Sequence, residues 1–176
     1  MLRIILVLLL LIAAACAQAA PASAPQAPDA QQIARQFGPS FQAVSGIPAL
    51  TADLEGDGAE DAVVVATSEN PLLDQAEFHY RVVDPYDAAF GFGDPRITAQ
   101  FSAQEPHPRL LLVVHNWRAP QQRFVIINVP FDKVSIARVL VKKKTVRAIR
   151  AEETAGMKSD LYWDGKKWKW QDAGIE

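Results

Sequence analysis

The residues with the clearest potential for chemistry form a short acidic loop at residues 53–61. The loop reads Asp-Leu-Glu-Gly-Asp-Gly-Ala-Glu-Asp, so carboxylates stand at positions 1, 3, 5 and 9 and a glycine at position 6. A hard cation such as Ca²⁺ takes about six to eight oxygen ligands, which a loop supplies by turning alternate side chains inward. A glycine suits position 6, because the backbone must turn there without the clash of a Cβ. The pattern therefore predicts a structural Ca²⁺ site.

Five residues are the predicted ligands. Side-chain oxygens would come from Asp53, Glu55, Asp57 and Asp61, and a backbone carbonyl from Ala59. Carboxylates this close repel one another, and a cation relieves that repulsion. The alternative is a polar turn without metal, in which Asp53 and Asp57 accept backbone N–H groups and the two glycines adopt positive φ.

The loop resembles the calcium loops of FG-GAP and VCBS repeats, whose pattern is Asp-x-Asn/Asp-Gly-Asp-Gly-x-x-Asp followed by an apolar strand. Here the strand is Ala-Val-Val-Val-Ala at residues 62–66. Glu55 departs from the pattern, since it replaces a shorter Asn or Asp. Position 12, a bidentate Glu in an EF-hand, is Val64. The match covers about 15 residues in one copy, whereas a propeller needs several, so the resemblance implies a lone calcium-type loop in a small β domain.

No other constellation indicates an enzyme. His79, His107 and His115 stand far apart without zinc-ligand spacing, and no Gly-x-Ser-x-Gly sequence is present. A hydrolase remains the alternative, with acids or histidines that converge only in three dimensions. A histidine that meets a carboxylate in a cleft would favour that alternative.

Aromatic residues near the carboxyl terminus give a second candidate site. Trp163, Trp168 and Trp170 flank the sequence Asp164-Gly165, which is typical of a tight hairpin turn. The three indoles could form a stacking platform for a sugar ring or a protein partner. Aromatic pairs across a hairpin also stabilise it and close the core, which is the competing interpretation.

Composition limits the classes of protein. The 176 residues carry 18 basic and 20 acidic side chains and a single Cys, which excludes an internal disulfide framework and a globally basic nucleic-acid binder. Seven cations and no acid lie within residues 133–150. Such a region could steer the domain to an anionic headgroup or polymer, or could simply be a solvated hairpin tip that blocks edge pairing.

The first 17 residues are predicted to be a signal peptide. A single Arg precedes an apolar run of 12 residues at positions 4–15, which is too short to span about 30 Å of hydrocarbon. The sequence Ala13-Ala14-Ala15-Cys16 resembles a bacterial lipobox, which implies lipidation of Cys16 and a periplasmic or outer-membrane lipoprotein. Ordinary cleavage at a small-x-small site is the alternative. Residues 18–30, rich in Ala and Pro, are predicted to be an extended tether.

Residues 31–176 are predicted to form one domain, mainly β with a short amino-terminal helix. Asp29 can cap that helix, and Ile33, Phe37 and Phe41 recur at helical spacing. Apolar runs at residues 62–66, 110–114, 124–129, 134–141 and 145–151, followed by the last hairpin, predict an antiparallel sheet or sandwich, with an α+β arrangement also open.

Together these features predict an exported envelope protein with a non-enzymatic binding or accessory role. It would be held at a membrane through a lipid anchor. Its partner would be an envelope protein or polymer that the sequence does not identify, and nucleic acid is not expected. A purely structural domain without metal is the third interpretation.

Overall fold

The computed structural model describes residues 27–92, residue 95 and residues 106–175. The predicted signal peptide, Cys16 and most of the predicted tether lie outside the described residues. Within the described residues, none of the helices combines the length and apolar character needed to traverse a bilayer.

The first element is helix α1 (Ala30–Phe37), which Asp29 caps as the sequence predicts. The Asp29 carboxylate accepts the Gln32 N–H at 2.7 Å, and the Gln32 side chain accepts the Asp29 N–H at 3.0 Å, which completes a capping box. The helix ends at Gly38, whose φ of 98° favours glycine. Ile33 and Phe37 face the core, and Phe41 joins them there from beyond the helix.

The first sheet has six strands, and its central members carry the longest buried runs. The strands are β1 (Gln42–Ala43), β2 (Leu50–Ala52), β3 (Asp61–Thr67), β4 (Arg81–Val83), β5 (Arg109–His115) and β6 (Gln122–Ile126). Their order is β1-β3-β5-β6-β4, and β2 also pairs with β3. All pairs are antiparallel except β4 with β6. Two short helices, α2 (Gln75–Phe78) and α3 (Pro85–Ala89), flank β4.

The second sheet is an antiparallel meander in the order β10-β9-β8-β7. Its strands are β7 (Lys133–Val141), β8 (Lys144–Glu152), β9 (Met157–Trp163) and β10 (Trp168–Ile175). Strand direction alternates in a meander, so the β7–β8 and β9–β10 turns project from the same end of this sheet.

The first sheet is covered on both faces, which accounts for its unbroken apolar strands. On one face Val64 and Leu112 pack with Phe37 of α1. On the other, Val65 packs with residues of the second sheet such as Ile149. The protein is therefore mainly β, the part of the chain that the structure describes holds two sheets and three short helices, and the predicted fold class is confirmed.

One local prediction needs correction. The strand expected over 124–129 ends at Ile126, and Asn128 adopts a positive φ of 58° that a strand does not accommodate. The hairpin predicted at Asp164-Gly165 is present, and its turn has Gly165 at φ 94°.

Candidate functional site

The acidic loop winds around the carboxylate of Asp53. That carboxylate accepts the backbone N–H groups of Gly56 at 2.6 Å, Asp57 at 3.1 Å and Gly58 at 3.0 Å. Asp57 in turn accepts the N–H of Ala59 at 2.8 Å. Gly56 and Gly58 have φ of 79° and 89°, so both glycines are used for left-handed backbone. Every feature of the polar-turn interpretation is therefore present in this loop.

Asp61 joins the loop to the end of β5. Its side chain is fully buried, and its two oxygens accept the N–H groups of Leu54 at 2.7 Å and Asn116 at 2.8 Å. Burial raises the pKa of Asp61, and these backbone donors act in the opposite direction. The carboxylate thus connects segments that are 55 residues apart in sequence.

The Glu55 side chain contacts His115. Glu55 Oε1 lies 2.5 Å from His115 Nδ1, although the contact lacks hydrogen-bond geometry. The His115 side chain is 0 % exposed and Glu55 16 %. Burial lowers the pKa of His115 to about 4, against the opposing charge of Asp57. The imidazole is therefore neutral at pH 7.

An aromatic cage encloses the His115 ring. The ring centroids of Phe124 and Trp163 each lie 5.1 Å from that of His115, and the Trp168 centroid lies 5.9 Å away. Burial, followed by repulsion from the neighbouring carboxylates, raises the pKa of Glu55. Each member of the Glu55–His115 contact is thus shifted toward its neutral form.

The carboxylates among the predicted calcium ligands each contact another group in this arrangement. Asp53, Asp57 and Asp61 accept backbone N–H groups, and Glu55 lies against His115. Within the described ranges, no group of three or more His, Cys, Asp or Glu side chains is placed to hold a metal ion. Calcium binding by the loop stays a prediction, and it would require Glu55 to exchange its partner.

A groove of about 660 Å³ opens beside Glu55, between α3 and the turn end of the second sheet. Trp168, Lys169 and Trp170 alternate along β10, and together with Lys167 of the preceding turn they line the groove. Alternate residues of a strand face opposite sides of its sheet. The groove therefore includes residues from both faces of the sheet at the β10 edge.

The groove has a net positive lining. Its cations are Lys142, Lys144, Lys167 and Lys169, and its acids are Glu55 and Asp164. None of these lysines forms an ion pair with another described residue. Asp164 is engaged by its own turn, because its carboxylate accepts the N–H groups of Lys166 and Lys167, each at 2.9 Å.

The three predicted stacking residues differ in burial. Trp168 is only 3 % exposed and belongs to the core, whereas Trp163 and Trp170 are half-buried against it. The enclosed indole N–H groups of Trp168 and Trp170 have no acceptor among the described residues. Stacking of a ligand stays a prediction, with Trp163 and Trp170 as the rings that keep exposed surface.

Sequence reasoning missed two contacts at this site. Glu55 and His115 are 60 positions apart, and only the pairing of β3 with β5 brings their segments together. Tyr86 and Phe90 pack on Trp170, with centroids 5.2 Å and 5.6 Å from it. The apolar spacing of Tyr86 and Phe90 on one side of α3 was the available signal.

Comparisons with known proteins identify no relative. No protein-family model matches the chain, and no curated protein or solved structure is significantly similar to it.

Proposed function

We propose that this chain is an exported bacterial envelope protein, held at the membrane through a lipid on Cys16, with a non-enzymatic binding or accessory role. The proposal joins the predicted lipobox to a folded domain whose groove carries unpaired cations. The acidic loop has a structural part in it, because it fixes Glu55 at the groove and connects through Asp61 to β5.

One observation carries the binding role. Four lysines without ion pairs among the described residues converge on a groove that Trp163, Trp168 and Trp170 also line. The buried indole N–H groups of Trp168 and Trp170 lack acceptors within the described chain. Buried donors are almost always paired in native proteins. A ligand with several acceptor oxygens and negative charge would satisfy the lysines, and its ring could pack on Trp170 or Trp163. An acidic sugar polymer combines these properties.

The test is a titration with oligogalacturonate as the acidic sugar probe and maltohexaose as the uncharged match. We expect oligogalacturonate to quench tryptophan fluorescence and maltohexaose to have no effect. Lys144→Gln/Lys169→Gln should weaken the response, while Lys133→Gln/Arg109→Gln, which removes two charges elsewhere, should retain it. Equal responses to both sugars, or none, would contradict an anion-binding groove.

The Glu55–His115 contact favours a hydrolase as the second candidate. A carboxyl group with a raised pKa at a groove could act as a general acid. His115 is enclosed, so a substrate would reach Glu55 alone. Hydrolysis of p-nitrophenyl glycosides and esters that is lost in Glu55→Gln, with the fold retained by circular dichroism, would support this candidate over a binding module.

A further inference from the structure

The tips of two hairpins form a surface that we call the lysine end. It consists of Lys142, Lys143 and Lys144 at the β7–β8 turn and Lys166 and Lys167 at the β9–β10 turn, and all five are exposed. None of them forms an ion pair with another described residue. Cations elsewhere do pair, for example Arg150 with Asp160 at 2.8 Å.

The β7–β8 turn holds two lysines in unfavourable backbone conformations. Val141 pairs with Lys144, which leaves a two-residue turn with φ of 46° at Lys142 and 70° at Lys143. Two-residue hairpin turns with positive φ at both positions strongly favour Asn-Gly. Local stability therefore does not account for lysine here, and a strained position of this kind suggests a function for the side chain.

A large apolar side chain lies directly beside this turn. Leu140 is 70 % exposed, although it lies in a regular strand two residues before Lys142. A soluble polyanion would account for the lysines, but it offers Leu140 no apolar environment. A bilayer surface offers both, since anionic headgroups attract lysines and the layer beneath them accepts an apolar side chain.

We propose that the lysine end docks the folded domain on a membrane surface that contains anionic phospholipid. The lysines contact headgroups, and Leu140 enters the interfacial layer. This inference extends the proposed membrane location, on which it rests, from the amino-terminal anchor to the domain itself. Lys142, Lys144 and Lys167 belong to both surfaces, whereas Leu140, Lys143 and Lys166 lie outside the groove lining. Substitutions at these last three residues therefore test the docking face apart from the groove.

The experiment measures binding of the full chain, carrying Cys16→Ser, to phosphatidylglycerol/phosphatidylcholine vesicles by sedimentation. Pure phosphatidylcholine vesicles report the contribution of the apolar amino-terminal segment, which all variants share. We expect salt-sensitive binding to the anionic vesicles. Lys143→Gly/Lys166→Gln, at two lysines outside the groove lining, should weaken it about 25-fold, since each lysine near such a surface contributes about fivefold.

Two matched controls make the result specific. Lys133→Gln/Arg109→Gln removes the same charge far from the lysine end and should change binding less than twofold. Leu140→Ser should weaken binding about tenfold, whereas Leu73→Ser, at a leucine that is 72 % exposed elsewhere, should not.

Three outcomes would overturn the proposal. The first is an absence of extra binding to anionic vesicles. The second is equal loss in the charge controls, which would indicate a general charge effect. The third is an unchanged Leu140→Ser variant together with competition by soluble dextran sulfate, which would assign the surface to a polymer. The oligogalacturonate titration is independent of these results, so failure of the groove and failure of docking remain distinguishable.

Discussion

The acidic loop and the lysine end are both turns that concentrate charge, one negative and one positive. They differ in whether the charged side chains have partners within the protein. Both are turns next to long strands, and both contain residues with positive φ. In the acidic loop, glycines occupy those positions and Asp53 alone accepts three backbone N–H groups. In the β7–β8 turn of the lysine end, Lys142 and Lys143 occupy them, and neither forms an ion pair with another described residue.

Charged groups in the acidic loop therefore stabilise the fold, whereas those at the lysine end remain free to bind a ligand. A carboxylate that accepts hydrogen bonds from the backbone of its loop stabilises one conformation of that loop, and removing it should lower the free energy of unfolding. An unpaired exposed lysine contributes little to folding, so removing it should weaken binding without lowering the free energy of unfolding. Each prediction below tests one side of this comparison.

The largest effect is expected beneath the lysine end. Trp168 is 3 % exposed and packs in the core between the sheets. Trp168→Ala should lower the free energy of unfolding by about 3–5 kcal/mol, as large truncations in a core do. Urea denaturation measures it, with Trp168→Phe as the milder control. An unchanged midpoint would mean that the hairpin is not anchored through this ring.

The enclosed histidine should make stability depend on pH. The pKa of His115 is about 4 when folded and about 6.5 when unfolded, so below pH 6.5 the unfolded chain binds a proton that the folded chain does not. The contribution of His115 to the free energy of unfolding is complete above pH 6.5 and falls by about 3 kcal/mol as the pH drops to 4. Glu55 and Asp61, whose pKa values are raised, oppose this trend.

Denaturation at pH 7, 5.5 and 4 isolates the contribution of His115. In His115→Phe the decrease in stability between pH 6.5 and 4 should vanish relative to the unmodified chain. His79→Asn, at an exposed histidine, should keep the decrease. The same pH profile in both variants would show that His115 titrates normally in the folded protein.

The buried carboxylate of the acidic loop should matter more than its exposed neighbour. Asp61→Ala leaves the N–H groups of Leu54 and Asn116 without an acceptor and should cost about 2–3 kcal/mol. Asp57→Ala removes one exposed bond and should cost about 1 kcal/mol or less. Guanidinium denaturation compares them. Equal losses of unfolding free energy in the two variants would show that the buried carboxylate is no more important for stability than the exposed one.

Calcium tests whether the acidic charge is fully used by the backbone. If the predicted site forms, Ca²⁺ at a hundredfold excess over its dissociation constant should add about 2.7 kcal/mol, and EDTA should reverse the rise in melting temperature. Mg²⁺ should act less, since it requires a tighter octahedron. Asp57→Ala should abolish the response and Glu55→Asp should strengthen it. If calorimetry detects no calcium binding to the unmodified chain or to Glu55→Asp, the loop is a polar turn without a metal site.

The smallest effect has the opposite sign. Lys142→Asn/Lys143→Gly places favoured residues in the strained turn and should raise the free energy of unfolding by about 1 kcal/mol. Thermal and urea denaturation measure the gain, with Lys166→Gln as a neutral control. A loss of stability would show that the two lysines support the hairpin, and the comparison with the acidic loop would then fail.

Local patterns in the sequence predicted most of the fold. Three features depend only on neighbouring residues and were therefore predictable without tertiary information: the cap at Asp29, the β-branched strand at 62–66 and the turn at Asp164-Gly165. The parallel pairing of β4 with β6 was not, because it depends on segments 43 positions apart. The Glu55–His115 contact could not be predicted for the same reason. The sequence therefore did not show that Glu55 would have to leave His115 in order to bind a calcium ion.

The Asp61 carboxylate also has a consequence for local dynamics. The amide protons of Leu54 and Asn116 are donated to one side chain, although they belong to different segments of the chain. Departure of that carboxylate would release both amide protons for exchange with solvent at once. We therefore expect the acidic loop and the segment after β5 to open together on the time scale of hydrogen exchange.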